Sequence, residues 1–285
     1  MAEDSTTNTA ADSEAEQTDK GPSFIAIEAV GRLSYGRDLR LKAGDVFVAV
    51  DGNPITWDID RFDQTLASYK ELPALFTIFR KGEFFEVFVD QPIGCGYRYA
   101  SDEDVAQILE KQPEHDIGPK DTYFPFEALR DMRRRVRLYR TDYSPYATVA
   151  PLFWLLYHRM WAPLGVVLAT YVVSGFINLA LFGLVYVLLC VYFHKAQTEL
   201  MRGYSLYLEH YFWFIFAERS TREAQETLRR FDEKCRFAFS HVPEPKIDEA
   251  EEARLAALIK EAQADLNAEA EGSDPKKDAS EPEAA

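Results

Sequence analysis

The sequence predicts a multi-domain α+β protein: a small β-rich domain with one helix, then an α-helical membrane hairpin and a C-terminal amphipathic helix, between disordered acidic tails. Three observations predict this order. In the first third of the chain, β-prone runs alternate with turn residues. From Met160 to Phe193, 34 residues pass without Asp, Glu, Lys or Arg, whereas about 20 apolar residues suffice to cross a bilayer. Both ends are acidic and poor in aromatic residues. We therefore expect an integral membrane protein.

The two tails hold most of the net charge of −15. Residues 1–20 contribute −5 and residues 244–285 contribute −8, so the body between them is nearly neutral. Segments of this composition bury too little apolar surface to offset chain entropy, and we expect both to be disordered. Within the second tail, residues 249–266 could form a short solvated helix. The acidic ends argue against nucleic-acid binding.

Cysteine usage and the first residues indicate a reducing compartment. Cys95, Cys190 and Cys235 lie far apart, which fits neither a disulfide framework nor a metal-binding spacing. The first twenty residues lack the basic start and apolar core of a signal peptide. The N-terminal half is therefore expected to stay in the cytoplasm, without a cofactor or a metal.

Residues 21–92 are predicted to form the β-rich domain. A helix should begin near Asp58, because Ile59, Phe62 and Leu66 repeat at helical spacing. The turn sequence Asp51-Gly52-Asn53-Pro54 should close the second strand. The predicted strands are 24–30, 46–50, 75–79 and 84–89, the last two joined as a hairpin at Lys81-Gly82.

The sequence GDVFVAVDGNPI at 44–55, followed by that helix and hairpin, resembles a bacterial PDZ domain. The resemblance implies binding of a partner's C-terminal carboxylate as an added β-strand. Pro22 has no N–H to offer a carboxylate, so a PDZ-like domain that binds no free terminus stays open as an alternative. The residues implied for peptide binding are Gly21, Ser23, Phe24, Ile25, Ala26, Ile27, Phe62 and Leu66.

Residues 93–124 are predicted to be a connector with a short helix after Ser101, and residues 125–140 a basic amphipathic helix before the membrane. Its apolar positions, Phe126, Leu129, Met132, Val136 and Tyr139, approach one helical face. Such a helix suits anionic lipid headgroups; a solvated helix, or one docked on a partner, is the alternative. The predicted lipid-binding residues are Arg130, Arg133, Arg134, Arg135, Arg137 and Arg140.

The membrane segment is predicted to span 147–195 as two helices with a turn near 174–178. Ser174, Gly175 and Asn178 are the turn candidates. Arginines precede the segment, and Lys195 and Arg202 follow it. Because positive residues favour the cytoplasmic side, both ends are expected there. One long tilted span and a re-entrant segment are the alternatives.

Residues 150–161, APLFWLLYHRMW, precede the apolar helices and Arg202-Gly203-Tyr204. Together they resemble a family of small uncharacterised bacterial inner-membrane proteins with a GPLWLLYRKMW-like signature. The resemblance implies a multi-pass protein of the bacterial inner membrane with both termini cytoplasmic. It implies no biochemical activity, because the family has none established.

Residues 203–240 are predicted to return to the cytoplasm. The aromatic run 206–216 suits a β-strand or an interfacial helix, and Ser220 with Glu223 forms a capping-box pattern that opens a helix to about Arg236. His158, His194 and His210 with Glu209 could approach one another as a metal site, although interfacial polar roles are favoured.

No catalytic motif is present in the sequence, so we expect no enzyme. The sequence favours a membrane-anchored adaptor, scaffold or assembly protein whose head recruits a protein or C-terminal peptide to the membrane, with a second membrane protein as a further partner. The alternative is a small transport or lipid-interacting subunit with a regulatory head.

Overall fold

The computed structural model describes residues 24–55, 57–66 and 73–245, and a few helical positions between 253 and 261. The predicted tail 1–20 and nearly all of the predicted tail 244–285 lie outside the described residues. So do Gly21 and Ser23 of the predicted peptide site. Most of the predicted helix at 249–266 lies outside them as well.

The described residues form a mixed α/β structure around one ten-stranded sheet. Along the sheet the strand order is β10-β8-β7-β9-β5-β4-β2-β1-β6, with β3 paired to β2. The strands are β1 Ile25–Val30, β2 Val46–Val50, β3 Asn53–Pro54, β4 Ala74–Arg80, β5 Glu83–Val89, β6 Cys95–Tyr99, β7 Phe124–Arg130, β8 Arg135–Arg140, β9 Tyr211–Glu218 and β10 Arg236–Phe237.

Helices cover both faces of the N-terminal half of this sheet. The short helix α1 is Tyr35–Asp38, and α2, Ile59–Leu66, packs Phe62 against Phe47 of β2 at 5.0 Å between ring centroids. On the opposite face, Ile108 of α3, Asp102–Lys111, packs in a cluster with Val46, Val48 and Phe79. Because both faces are covered, every residue of β2 and β4 is buried.

The predicted basic helix at 125–140 is wrong, because these residues form the β7–β8 hairpin. The turn lies at Asp131–Arg134, where Arg134 has a φ of 59° and Asp131 accepts the backbone N–H of Arg135 at 2.7 Å. Met132, placed by the helical pattern on the apolar face, is 66% exposed in this turn. These residues form a strand and not a helix because β9 pairs with β7 from Phe124 to Arg130.

The aromatic run at 206–216 is divided between two elements. Its first two residues end a long helix at Tyr207, residues 208–210 form a turn, and residues 211–216 belong to β9, in which Phe214 and Phe216 are buried. After β9, helix α8 is Thr221–Phe231 and is preceded by the predicted cap, Ser220, which accepts the N–H of Glu223. The helix ends five residues before the predicted Arg236.

Four helices occupy the predicted membrane segment and its flanks: α4 Pro145–Val149, α5 Pro151–Tyr157, α6 Trp161–Ile177 and α7 Leu179–Tyr207. Asn178 separates the last two in an extended conformation, and its side chain accepts the N–H of Ala180. The ring of Tyr171 in α6 lies 5.5 Å from Phe182 and 6.2 Å from Tyr186 in α7. The chain therefore reverses direction at Asn178.

By length and composition, one helix among the described residues can cross a membrane, namely α7 with 29 residues. Helix α6 is also apolar, but it has 17 residues. At 1.5 Å per residue α6 is about 25 Å long, slightly less than the hydrocarbon core of about 30 Å. The residues of α6 and α7 that face away from the protein are largely apolar and exposed.

Candidate functional site

The groove implied by the PDZ resemblance lies between β1 and α2, and the chain's own strand β6 fills it. Strand β6 runs antiparallel to β1, with Ile25 opposite Tyr99 and Ile27 opposite Tyr97. The Tyr97 ring packs edge-on against Phe62 of α2 at 4.8 Å. Strand β2 pairs with the other edge of β1, so both edges of β1 are occupied.

The predicted peptide-binding residues that the structure describes are packed in the interior. Ile25, Ile27, Phe62 and Leu66 are fully buried, and Phe24 and Ala26 are nearly so. Their apolar character therefore serves the core, and the contact made along the groove is the one to β6. The sequence analysis places Cys95–Tyr99 in a connector, because residues 93–124 contain Gly, Pro and Asp.

A broad apolar surface covers the helical part of the protein. Monomeric soluble proteins rarely expose a contiguous patch larger than a few hundred Å², so such a surface indicates contact with lipid or protein. We call it the apolar belt. It comprises Tyr146, Val149, Phe153, Leu156, Tyr157, Trp161, Val166, Leu168, Val172, Val173, Phe176, Ile177, Leu179, Leu184, Tyr186, Val187, Leu188, Val191 and Tyr192.

A buried ion pair ties the belt's longest helix to the sheet. Arg202 of α7 binds Glu127 of β7 through two nitrogens, with Nε at 2.9 Å from Oε2. The Glu127 side chain is 4% exposed and also accepts the hydroxyl of Tyr139 at 3.0 Å. Burial and the nearby Glu127 carboxylate raise the pKa of Tyr139. The orientation of α7 is thereby fixed relative to the strands.

The predicted lipid-binding arginines lie on the β7–β8 hairpin, and most of them contact other parts of the protein. Arg130 pairs with Asp232 at 2.8 Å, Arg135 pairs with Asp131 at 2.6 Å, and Arg140 pairs with Asp142 at 2.8 Å. Arg134 lies 3.7 Å from Asp232. Arg133 is exposed in the turn, while Arg137 is partly buried beneath Tyr204. They form no continuous basic face of the kind predicted for a helix.

The histidines weighed as metal ligands contact neighbouring side chains and the backbone instead. His158 packs on Trp154 at 4.8 Å, His194 lies 3.0 Å from the Tyr143 hydroxyl, and His210 contacts the Leu208 carbonyl through Nδ1. Within the described ranges, no group of three or more His, Cys, Asp or Glu residues is placed to hold a metal ion.

Two buried carboxylates lie where the two halves of the sheet join. Glu86 of β5 is paired in register with Ala217 of β9 and contacts Nε2 of His115 at 2.6 Å. Burial raises the pKa of neighbouring Glu218 to about 7, the charge of Glu86 adds to the rise, and the hydroxyl of Thr227 opposes it. The protonation of Glu218 therefore depends on its burial and on the charge of Glu86.

A cavity of about 520 Å³ lies between β8, the helices α4 and α5, and α7. Aromatic residues such as Tyr139, Tyr143 and Trp154 line it together with Gln197 and Gln225. Two of these side chains are committed to the fold: Gln197 accepts the N–H of Ser144, and Gln225 binds the backbone of Phe239 and His241. These hydrogen bonds therefore stabilise the backbone that surrounds the cavity.

No protein-family model and no curated protein matches this chain.

Proposed function

We propose that this chain is a membrane-anchored adaptor of the bacterial inner membrane. Helices α6 and α7 insert into the bilayer, both ends of the chain lie on the cytoplasmic side, and the sheet recruits a protein or C-terminal peptide partner. Recruitment to a membrane raises the local concentration of the partner near other membrane proteins, so a modest affinity suffices.

The apolar belt and the charges beside it support anchoring. Exposed apolar residues occur along both α6 and α7, from Trp161 to Tyr192. The nearest basic residues, Arg159 and Lys195, lie at the end of the pair opposite Asn178. Because α6 and α7 pack antiparallel, this arrangement favours entry from, and return to, one side of the membrane. Hydrocarbon would cover the belt that the protein itself leaves exposed.

The position of β6 carries the docking part of the proposal. An extended strand lies antiparallel beside β1, with an aromatic side chain against α2. Strand addition to a PDZ domain uses the same elements, namely a strand edge for main-chain pairing and a neighbouring helix for side-chain contact. We infer that a partner's C-terminal strand exchanges with β6 rather than entering an empty groove.

If binding requires exchange, a peptide can bind only after β6 has left its place beside β1. Residues 90–94 join β6 to β5 of the same sheet, so β6 competes at an effective concentration in the millimolar range, and the resting protein should capture free peptides weakly. Strand β6 is partly exposed, with Gly96, Arg98 and Tyr99 facing solvent, whereas β2 on the other side of β1 is fully buried. Of the two neighbours of β1, β6 is therefore the one that can leave.

The Tyr97→Ala variant of the full chain should capture C-terminal peptides better than the wild type does. Removal of the ring contact with Phe62 weakens β6 in the groove, and an apolar contact of this size corresponds to about a tenfold change in equilibrium. The measurement is enrichment of a free-carboxylate peptide library on the detergent-solubilised protein. Tyr99→Ala is the matched control, since Tyr99 lies on the same strand and is 56% exposed.

Equal capture by wild type and both variants would contradict exchange at this groove. Equal enrichment of amidated and free-carboxylate peptides would show that the carboxylate is not recognised, as the position of Pro22 before β1 allows. The head would then be a docking or structural module that recognises no free terminus.

A lipid-interacting or small transport subunit with a regulatory head is the second candidate. A cluster of arginines where the helix pair meets the sheet favours it, because anionic headgroups lie at that depth of a membrane. The cluster includes Arg137 and Arg159, which line one cavity. Neither candidate requires catalysis.

A further inference from the structure

We propose that a basic cavity at the sheet end of the helix pair binds a phosphate-bearing anion. The cavity has a volume of about 470 Å³ and lies where β8, the start of α6, the turn after α7, the end of α8 and β10 meet. Five of its lining residues are Arg135, Arg137, Arg159, Arg229 and Arg236. Binding of a lipid headgroup here rests on the proposed membrane anchoring, whereas binding of a free phosphate does not.

The cavity wall carries a positive excess. Glu244 is the one acidic residue among the described residues that line it, against the five arginines. Asp131 pairs with Arg135 and offsets the charge of that lining residue, whereas Asp232 pairs with Arg130 and Arg134, which are not part of the lining. Burial lowers the pKa of the lining residue His210, so its ring favours the neutral form. Arginines gathered in this way repel one another unless an anion lies between them.

Arg229 has buried hydrogen-bond donors that the described residues do not satisfy. Its Nε and one terminal nitrogen are buried and donate to no acceptor among the described residues. A buried donor without an acceptor loses its hydration and gains nothing in return. The Phe237 ring, 5.5 Å from the guanidinium carbon, interacts with the charge but offers no oxygen for the N–H groups. A phosphate oxygen would satisfy them, since the planar guanidinium matches phosphate geometry.

Aromatic rings also support two other guanidinium groups of the cavity. Arg137 lies over Tyr204 at 5.3 Å and donates one hydrogen bond, to the carbonyl of His158 at 3.3 Å. The exposed Arg159 lies over Phe239 at 4.4 Å. Ring contacts orient these groups while leaving most of their N–H donors to a ligand. The arrangement therefore suits an anion with several acceptor oxygens.

The position of the cavity relates it to the membrane surface. Arg159 lies two residues before Trp161, the first residue of α6, and His210 lies three residues after Tyr207, the last residue of α7. A ligand between them lies beside the end of the apolar belt, at the level where lipid phosphates are found. A phosphatidate headgroup and a free phosphate share the chemistry that this wall would recognise.

The test is thermal unfolding of the full chain in neutral detergent. Inorganic phosphate, or a short-chain phosphatidate mixed into the micelles, is added at constant ionic strength set with chloride. The wild type should unfold at a higher temperature with at least one of these probes. Arg229→Gln should weaken the apparent affinity about tenfold or more, because it removes charged hydrogen bonds. Arg222→Gln, on the exposed face of the same helix with a 73% exposed side chain, should behave like the wild type.

Arg159→Gln provides a second variant, since Arg159 is exposed and its replacement should leave folding intact. Equal effects of phosphate and phosphatidate would assign the site to free phosphate-bearing anions, and an effect of phosphatidate alone would assign it to a lipid headgroup. Absence of any rise, or a rise retained in both cavity variants, would overturn the site. Flotation on phosphatidylcholine vesicles tests anchoring separately. If the wild type floats normally but binds neither anion, the cavity site is rejected and the proposed adaptor stands.

Discussion

Replacing Leu184 and Leu188 together by arginine should release the chain from membranes. Both side chains belong to the apolar belt, at 58% and 59% exposure, and lie one helical turn apart on α7. An arginine near the centre of a membrane helix costs about 3 kcal/mol on insertion scales, and two on one face cannot both reach headgroups easily. The measurement is the fraction of protein that floats with vesicles or resists carbonate extraction.

A matched double variant separates membrane release from a general effect of added charge. Leu33 and Leu109 are exposed leucines on the head, at 102% and 53% exposure. Their replacement by arginine adds the same charge and should leave flotation unchanged. If the α7 variant floats as well as the wild type, the belt is not covered by lipid, and a protein partner becomes the better explanation of its exposure.

Arg202→Ala should lower the free energy of unfolding by about 2–4 kcal/mol, because it leaves the Glu127 carboxylate buried with only the Tyr139 hydroxyl. The expected loss falls toward the lower end of the range for buried pairs, since the Arg202 side chain is 33% exposed. The measurement is chemical denaturation in detergent, monitored by the circular dichroism of the β-sheet. Loss of this ion pair would also weaken the contact between α7 and β7.

Two further variants show whether the loss of stability comes from leaving the Glu127 charge buried without its partner. Combining Arg202→Met with Glu127→Gln should recover most of the stability, because neither residue then carries a charge and the glutamine still accepts from Tyr139. Arg222→Ala removes an exposed pair with Glu226 and should cost about 0.5 kcal/mol or less. An effect of Arg202→Ala no larger than that of Arg222→Ala would mean that the pair does not join the helix to the sheet.

Local signals in the first third of the chain predicted several of its turns, strands and helices. The Asp51-Gly52 turn and the Lys81-Gly82 hairpin both need positive φ angles. The φ angles are 46° at Asp51 and 80° at Gly52, and 52° at Lys81 and 85° at Gly82. The β-prone segment at 46–50 and the helical repeat of Ile59, Phe62 and Leu66 likewise correspond to β2 and α2. In each case neighbouring residues carry enough information to specify the element.

Elements that depend on distant partners could not be predicted in the same way. The residues of β7 satisfy a helical period and a strand pairing almost equally, and β9, some 80 residues later, selects the strand. Strand β6 has little strand character of its own and gains it from pairing with β1. For the same reason, the pairing of β6 with this edge of β1 could not be predicted from the sequence.

The arginines illustrate a similar limit for the cavity. The cluster at 130–140 was visible in the sequence, but the helical pattern placed it on one lipid-facing surface. Arg229 and Arg236 join Arg135 and Arg137 only because α8 and β10 return to β8. Composition therefore indicated a basic region, whereas the three-dimensional arrangement determines which guanidinium groups share one wall.

The topology of the helix pair tests the central claim most directly. Reporters that are active on one side of the membrane only should be fused in turn before residue 1 and after residue 285 of the full chain. Because α6 and α7 reverse at Asn178, both fusions should report the cytoplasm. Reporters on opposite sides of the membrane would contradict the account, since they require a single crossing and therefore separation of the two packed helices.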